Sequence, residues 1–157
     1  MAITVDIIES WRRPRGVVRR LLDRGRSETF VLSFLLVFMV LAFAAAAPNL
    51  ARQAFLEPSV TLMQRVYPAA LGLLATTPLW YLLAAIGHLV ARALGGKGSH
   101  FGARLALFWA LVVISPAMLV QGLVQGMIGG TTATGFGVLV LVGFVGFWMV
   151  MLHEVER

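Results

Sequence analysis

Four apolar stretches, Phe30 to Ala47, Tyr67 to Leu94, Arg104 to Ile128 and Thr134 to Leu152, leave this chain few ways to fold. Each has about 18 residues or more, and a helix needs roughly 20 to cross the ~30 Å of hydrocarbon in a bilayer. Only His88, Arg92 and the boundary residue Arg104 bring into them side chains that carry charge near neutrality. None alternates with period two, so helices are expected and barrel strands are not. The expected fold is all-α: a polytopic bundle of four transmembrane helices forming one membrane domain over residues 1–157, behind an amphipathic interfacial segment, residues 1–28. Charged residues make up 13% of the chain, about half the share a soluble surface requires. With no cysteine, disulfides and thiolate sites are excluded.

The net charge of +6 would suggest nucleic acid in a soluble protein, but its distribution points to membrane topology. Seven arginines precede the first crossing: Arg12, Arg13, Arg15, Arg19, Arg20, Arg24 and Arg26. Arg52 and Arg65 fall in the first connection, Arg92, Lys97 and Arg104 around the second, none in the third, and Arg157 in the tail. The positive-inside bias therefore predicts a multi-pass protein of the cytoplasmic membrane with both termini inside. "AFAAAAPNLA" at the end of the first crossing is similar to a signal-peptidase site, but 29 residues precede an apolar run of 18. A cleaved signal has a shorter core, so an uncleaved helix is expected.

In the N-terminal segment, Ile3, Ile7, Ile8 and Trp11 recur at helical spacing, as do Val17, Val18, Leu21 and Leu22 after Pro14. Pro14 suits the first position of a second helix, Gly25 its stop, and Ser27 the cap of the first crossing. Arginines lie opposite the apolar stripe. Such a helix can rest among headgroups, with Arg12, Arg13, Arg19, Arg20 and, from the second connection, Lys97 as candidates for anionic lipid. A basic flank that only sets topology is the equal alternative. Between the first two crossings, "PNLARQAFLEPSVTLMQRVYP" is amphipathic, and a short interfacial helix is expected around Pro58.

The turn "ALGGKGSHFGARLALFW" joins the second and third crossings. A phosphate loop of the Walker type needs G-x-x-x-x-G-K-[ST] between a strand and a helix. Here Gly98 follows Lys97, Ala91 stands five residues before Gly96, and a membrane helix precedes the glycines. The expected element is a hairpin turn: Gly95 and Gly96 end one helix, and Ser99 caps the next. "GGKGSHFGARLALFWALVVISPAML", Gly95 to Leu119, resembles the core of the bacterial members of the Yip1 family, in which a glycine-rich turn also leads into a helix with a central proline. "WRRPRGVVRRLL" is similar to the amphipathic segment those proteins carry. The resemblance implies a multi-pass membrane protein and, for the bacterial members, no agreed activity. Two departures stand out: family members commonly have five crossings, and the acidic-tyrosine motif of the eukaryotic members, tied to Rab GTPase traffic, has no counterpart here.

Polar side chains inside lipid are costly and therefore informative. Thr77, Tyr81, His88 and Arg92 fall within about 60° of one another at 100° per residue, a seam that could serve a headgroup, a proton or a small solute. The alternative is that Thr77 bonds its own backbone, His88 bonds a neighbouring helix and Arg92 snorkels. Gly122, Gly126 and Gly129, in line with Arg104, Phe108 and Ser115, and Gly135 and Gly146 on the fourth crossing are expected at helix contacts, internal or between protomers. Gln121 and Gln125 can bond across helices. His88, His100 and His153 match no ligand spacing, so no metal or cofactor is expected. No pair of acids marks a catalytic site, and Ser115-Pro116 lacks the glycine frame of a nucleophile elbow. The function expected is a structural or interaction role towards anionic lipid, a membrane-protein partner or a second copy, with a small transporter or channel subunit built on the seam as the alternative.

Overall fold

A computed structural model describes residues 3–24 and 27–157. Among the described residues seven helices follow one another: α1 (Ile3–Arg12), α2 (Pro14–Asp23), α3 (Glu28–Leu56), α4 (Leu62–Ala75), α5 (Thr77–Ala93), α6 (His100–Met127) and α7 (Gly130–Glu156). Four spans are long and apolar enough to cross a membrane: α3, the α4–α5 pair, α6 and α7. The stop expected at Gly25, and Arg26, lie outside the described residues.

Helix α6 is the axis. It packs against α1, α2, α3, α5 and α7, and apart from Arg104 every residue from Phe101 to Ser115 is buried. More than half of its apolar window is inside the protein, against 6% in the second and fourth spans. Backbone groups are satisfied within each helix, so the outer spans can leave Leu71, Leu82, Leu139 and Leu141 exposed, a pattern suited to lipid and not to water. Aromatic edges knit the centre: Phe34 meets Trp109 at 4.9 Å and Tyr81 meets Phe108 at 5.1 Å between ring centroids.

The α3–α6 contact depends on absent side chains. A Cβ at Gly122 or Gly126 would run into the backbone of Ala45 or Pro48 on α3, so glycine there lets the two helices touch. Gly129, at φ +66°, sits against the Arg52 guanidinium, which donates to the Gln125 carbonyl at 3.2 Å. Nothing lies within 4 Å of a Cβ on Gly135 or Gly146, so neither makes a helix contact within the chain. On α7 it is Gly137 and Gly143 that face α6, opposite Gln121 and Ile114. Helical spacing alone could not say which glycine stripe would turn inward.

The connection after the first span also differs. Helix α3 continues through Pro48 to Leu56, and Pro58 lies in the turn before α4. No separate interfacial helix forms there. Thr61 and Gln64 close a reciprocal capping box at the start of α4, so chain that looked interfacial is absorbed into two long helices. The second span breaks at Thr76, before Pro78. Proline has no N–H for the carbonyl four residues back, and the Thr77 hydroxyl donates to that carbonyl, Leu74 O, at 2.7 Å.

Candidate functional site

The polar chemistry gathers at the end of the bundle where α2, the α5–α6 turn and the last turn of α7 meet, here called the basic end. Its turn is built by glycine. Gly95 adopts φ +94°; Gly95 N–H donates to Arg92 O at 3.0 Å and Gly96 N–H to Ala91 O at 2.9 Å, the paired bonds of a Schellman stop. Ser99 then accepts from Gly102 N–H at 3.2 Å and caps α6, and Ser27 caps α3 in the same way.

The turn cradles a side chain of the same protein, that of Glu156. Glu156 Oε1 lies 2.6 Å from His88 Nδ1, and Glu156 Oε2 accepts from Gly98 N–H at 3.0 Å. The Glu156 carbonyl accepts from Lys97 N–H at 2.7 Å. His88 and Glu156 are both buried. A Cβ on Gly98 would collide with the backbone of Val155 and Glu156, so glycine is needed for α7 to approach. The exposed His100 ring stands 4.1 Å from His88, centroid to centroid, while His153 is exposed on α7. Among the described residues no three metal-binding side chains form a group.

The four seam residues share a helical face but not a common partner. Thr77 returns its hydroxyl to Leu74, Tyr81 packs on Phe108, His88 bonds Glu156, and Arg92 is exposed.

Helices α1 and α2 fold back on each other and attach to α6 and α7. Ser10 donates to Asp6 O at 2.7 Å and its hydroxyl accepts from Trp109 Nε1 at 3.0 Å. Trp11 Nε1 donates to Val113 O at 3.0 Å and its ring meets Phe147 edge-on at 5.4 Å. Val113 lies nine residues beyond Arg104, about 13 Å along α6, so the hairpin's anchor reaches well into the bundle. Arg19 pairs with Glu154, and Arg104 with Glu28. Arg20 binds Glu9 at 2.7 Å and Asp6 at 3.3 Å, with Arg24 3.7 Å from Asp6. The hydrogen bond from Arg20 holds the Glu9 carboxyl below its ordinary range, while Glu9 raises Arg20.

The apolar stripe of this segment therefore divides. Val17, Val18 and Leu21 on α2 are buried against protein, contrary to the expectation that they face lipid; the flanks of α6 and α7 cover them. On α1 the pattern is inverted: Asp6 and Ser10 point inward, whereas Ile3, Val5, Ile8 and Trp11 are exposed, which favours an apolar surrounding for that helix. Of the five headgroup candidates, Arg19 and Arg20 are engaged in ion pairs, and Arg12, Arg13 and Lys97 are exposed without one among the described residues.

Three apolar spans packed about a fourth, buried one, tied together at one charged end, define a polytopic helical membrane protein. The family model of the Yip1 domain matches residues 8–155. The chain belongs to the Yip1 family, and the match covers the α1–α2 hairpin from Ile8 onward together with the four spans. Comparison with curated proteins and with solved structures gives no match.

Proposed function

We propose that the protein has a non-enzymatic structural or interaction role in the cytoplasmic membrane, with its basic end facing the cytoplasm. The bundle holds the α1–α2 hairpin at the inner leaflet with its bend sunk beside α6, and Arg12 and Arg13, joined by Arg15, extend their long side chains from that bend to anionic headgroups or to an acidic face of a membrane-protein partner. One observation carries this reading. The hairpin is fixed by Trp11–Val113, Ser10–Trp109 and Arg19–Glu154, yet Arg12, Arg13 and Arg15 at its bend stay exposed and unpaired among the described residues. A rigid mount that presents free cations suits a surface-recognition role, each cation adding about 1 kcal/mol towards an anionic leaflet. Thr77, Tyr81 and His88 are each occupied inside the protein, which supports an interaction role over a conducting one.

The test is enrichment of a fluorescent anionic phospholipid around the protein in nanodiscs. Enrichment is expected for the natural sequence, with a loss in Arg12→Gln/Arg13→Gln/Arg15→Gln and a steep fall with salt. Equal, salt-insensitive surroundings for both proteins would refute the lipid-facing role.

A further inference from the structure

A groove of about 640 Å³ opens between α5 and α7 at the basic end. Its walls are apolar, with Ile86 and Val90 on α5, Leu94 just past its end, and Met149 and Leu152 on α7. Its floor is the indole of Trp148, brought against α5 because Gly87 has no side chain: a Cβ there would lie 2.8 Å from the ring. The buried Trp148 N–H has no hydrogen-bond partner among the described residues, a donor the protein alone leaves unsatisfied. Lys97 and Arg157 stand at the rim. Both are exposed, and neither forms an ion pair among the described residues. Glu156, the carboxylate side chain that lines the groove, has its oxygens committed to His88 and Gly98, so it leaves the Lys97 and Arg157 side chains at the rim unneutralised.

An apolar cleft open along two membrane helices, with cations at its polar end, is complementary to an amphiphile carrying an anionic head. We infer that this groove binds one anionic phospholipid, its acyl chain along the α5–α7 cleft and its phosphate between Lys97 and Arg157. The inference extends the lipid-facing reading above but uses different residues. It places the lipid on the opposite flank of α7 from α2, so that α7 is held between the hairpin and a bound lipid.

Lipid retention after detergent purification tests this, read by native mass spectrometry with phosphatidylglycerol and phosphatidylcholine of identical acyl chains as probes. One phosphatidylglycerol is expected to be retained per chain, with phosphatidylcholine held roughly tenfold or more weaker. Lys97→Gln/Arg157→Gln is expected to remove the difference, and Val90→Trp, a surface change that fills the cleft, to remove retention of both lipids at unchanged melting temperature. Excess glycerol phosphate should fail to displace the lipid. Equal retention of the two lipids by the natural sequence would overturn the inference, as would displacement by glycerol phosphate alone. So would loss of retention in the Arg12/Arg13/Arg15 variant with Lys97→Gln/Arg157→Gln unaffected. If the groove variants act in this assay while the hairpin variant leaves nanodisc enrichment unchanged, the groove site stands and the hairpin reading fails.

Discussion

His88 and Glu156, 68 positions apart, meet in the buried interior with 2.6 Å between Nδ1 and Oε1. Through this contact the last turn of α7 is locked to α5, and through Gly98 to the α5–α6 turn. Removing one partner leaves the other buried without its bond, which costs about 1–3 kcal/mol. Equilibrium unfolding in mixed micelles should show that His88→Ala and Glu156→Ala each destabilise. Their double-mutant cycle should give a coupling of about 0.5–3 kcal/mol. Strict additivity would deny the contact.

The glycines separate into two classes. Gly122→Ala and Gly126→Ala force a methyl group into α3 and should lower stability by about 1–3 kcal/mol. Gly135→Ala and Gly146→Ala place a methyl group in open space. They should be neutral or stabilising by up to about 1 kcal/mol, the helix-propensity gain of alanine over glycine. Melting temperatures of the four variants in one detergent check the ordering.

The hairpin has an acid-sensitive tie. Because the bond from Arg20 lowers the Glu9 pKa, folding favours the ionised form. Its contribution is present above the ordinary carboxylate range and is lost as pH falls through the lowered value. Amide exchange in α1, corrected for intrinsic rates, should stay flat from pH 8 down to about 5 and rise only in stronger acid. In Glu9→Gln the α1 amides should be less protected at neutral pH, with less further loss in acid. A transition near neutrality would contradict this assignment.

Trp11 anchors α1 through one hydrogen bond and one ring contact. Trp11→Phe keeps an aromatic ring against Phe147 but leaves Val113 O without the indole donor, and should loosen α1 by about 1 kcal/mol. Trp11→Ala, which loses both, should loosen it further. Exchange protection across Ile3–Arg12, with α6 as internal control, measures both.

Much of the fold was legible because the membrane imposes a coarse rule: long apolar runs become helices and buried backbone must bond to itself. The caps at Ser27 and Ser99 and the stop at Gly95 were readable from local chemistry, since each involves residues within five positions. Less legible was whatever depends on which face turns inward. The stripe of Val17, Val18 and Leu21 fits lipid or protein equally well, and only the packing of α2 on α6 and α7 decides for protein. Gly122 and Gly135 looked alike, yet only the first meets a neighbouring backbone. Among the site residues, His88 stood out as a polar group in an apolar run, but nothing local tied it to Glu156. Gly98 was the available signal: a third glycine after the helix had already stopped, needed because α7 comes too close for a side chain.

Four crossings with the basic end inside underlie the proposed role, and a chain without cysteine allows a direct measurement. Single cysteines at Ser59, in the α3–α4 turn, and at Arg92, at the basic end of α5, are probed in intact cells with a membrane-impermeant maleimide. Ser59→Cys should react at once and Arg92→Cys only after permeabilisation. Labelling of both from the same side, or of Arg92→Cys alone in intact cells, would contradict this topology.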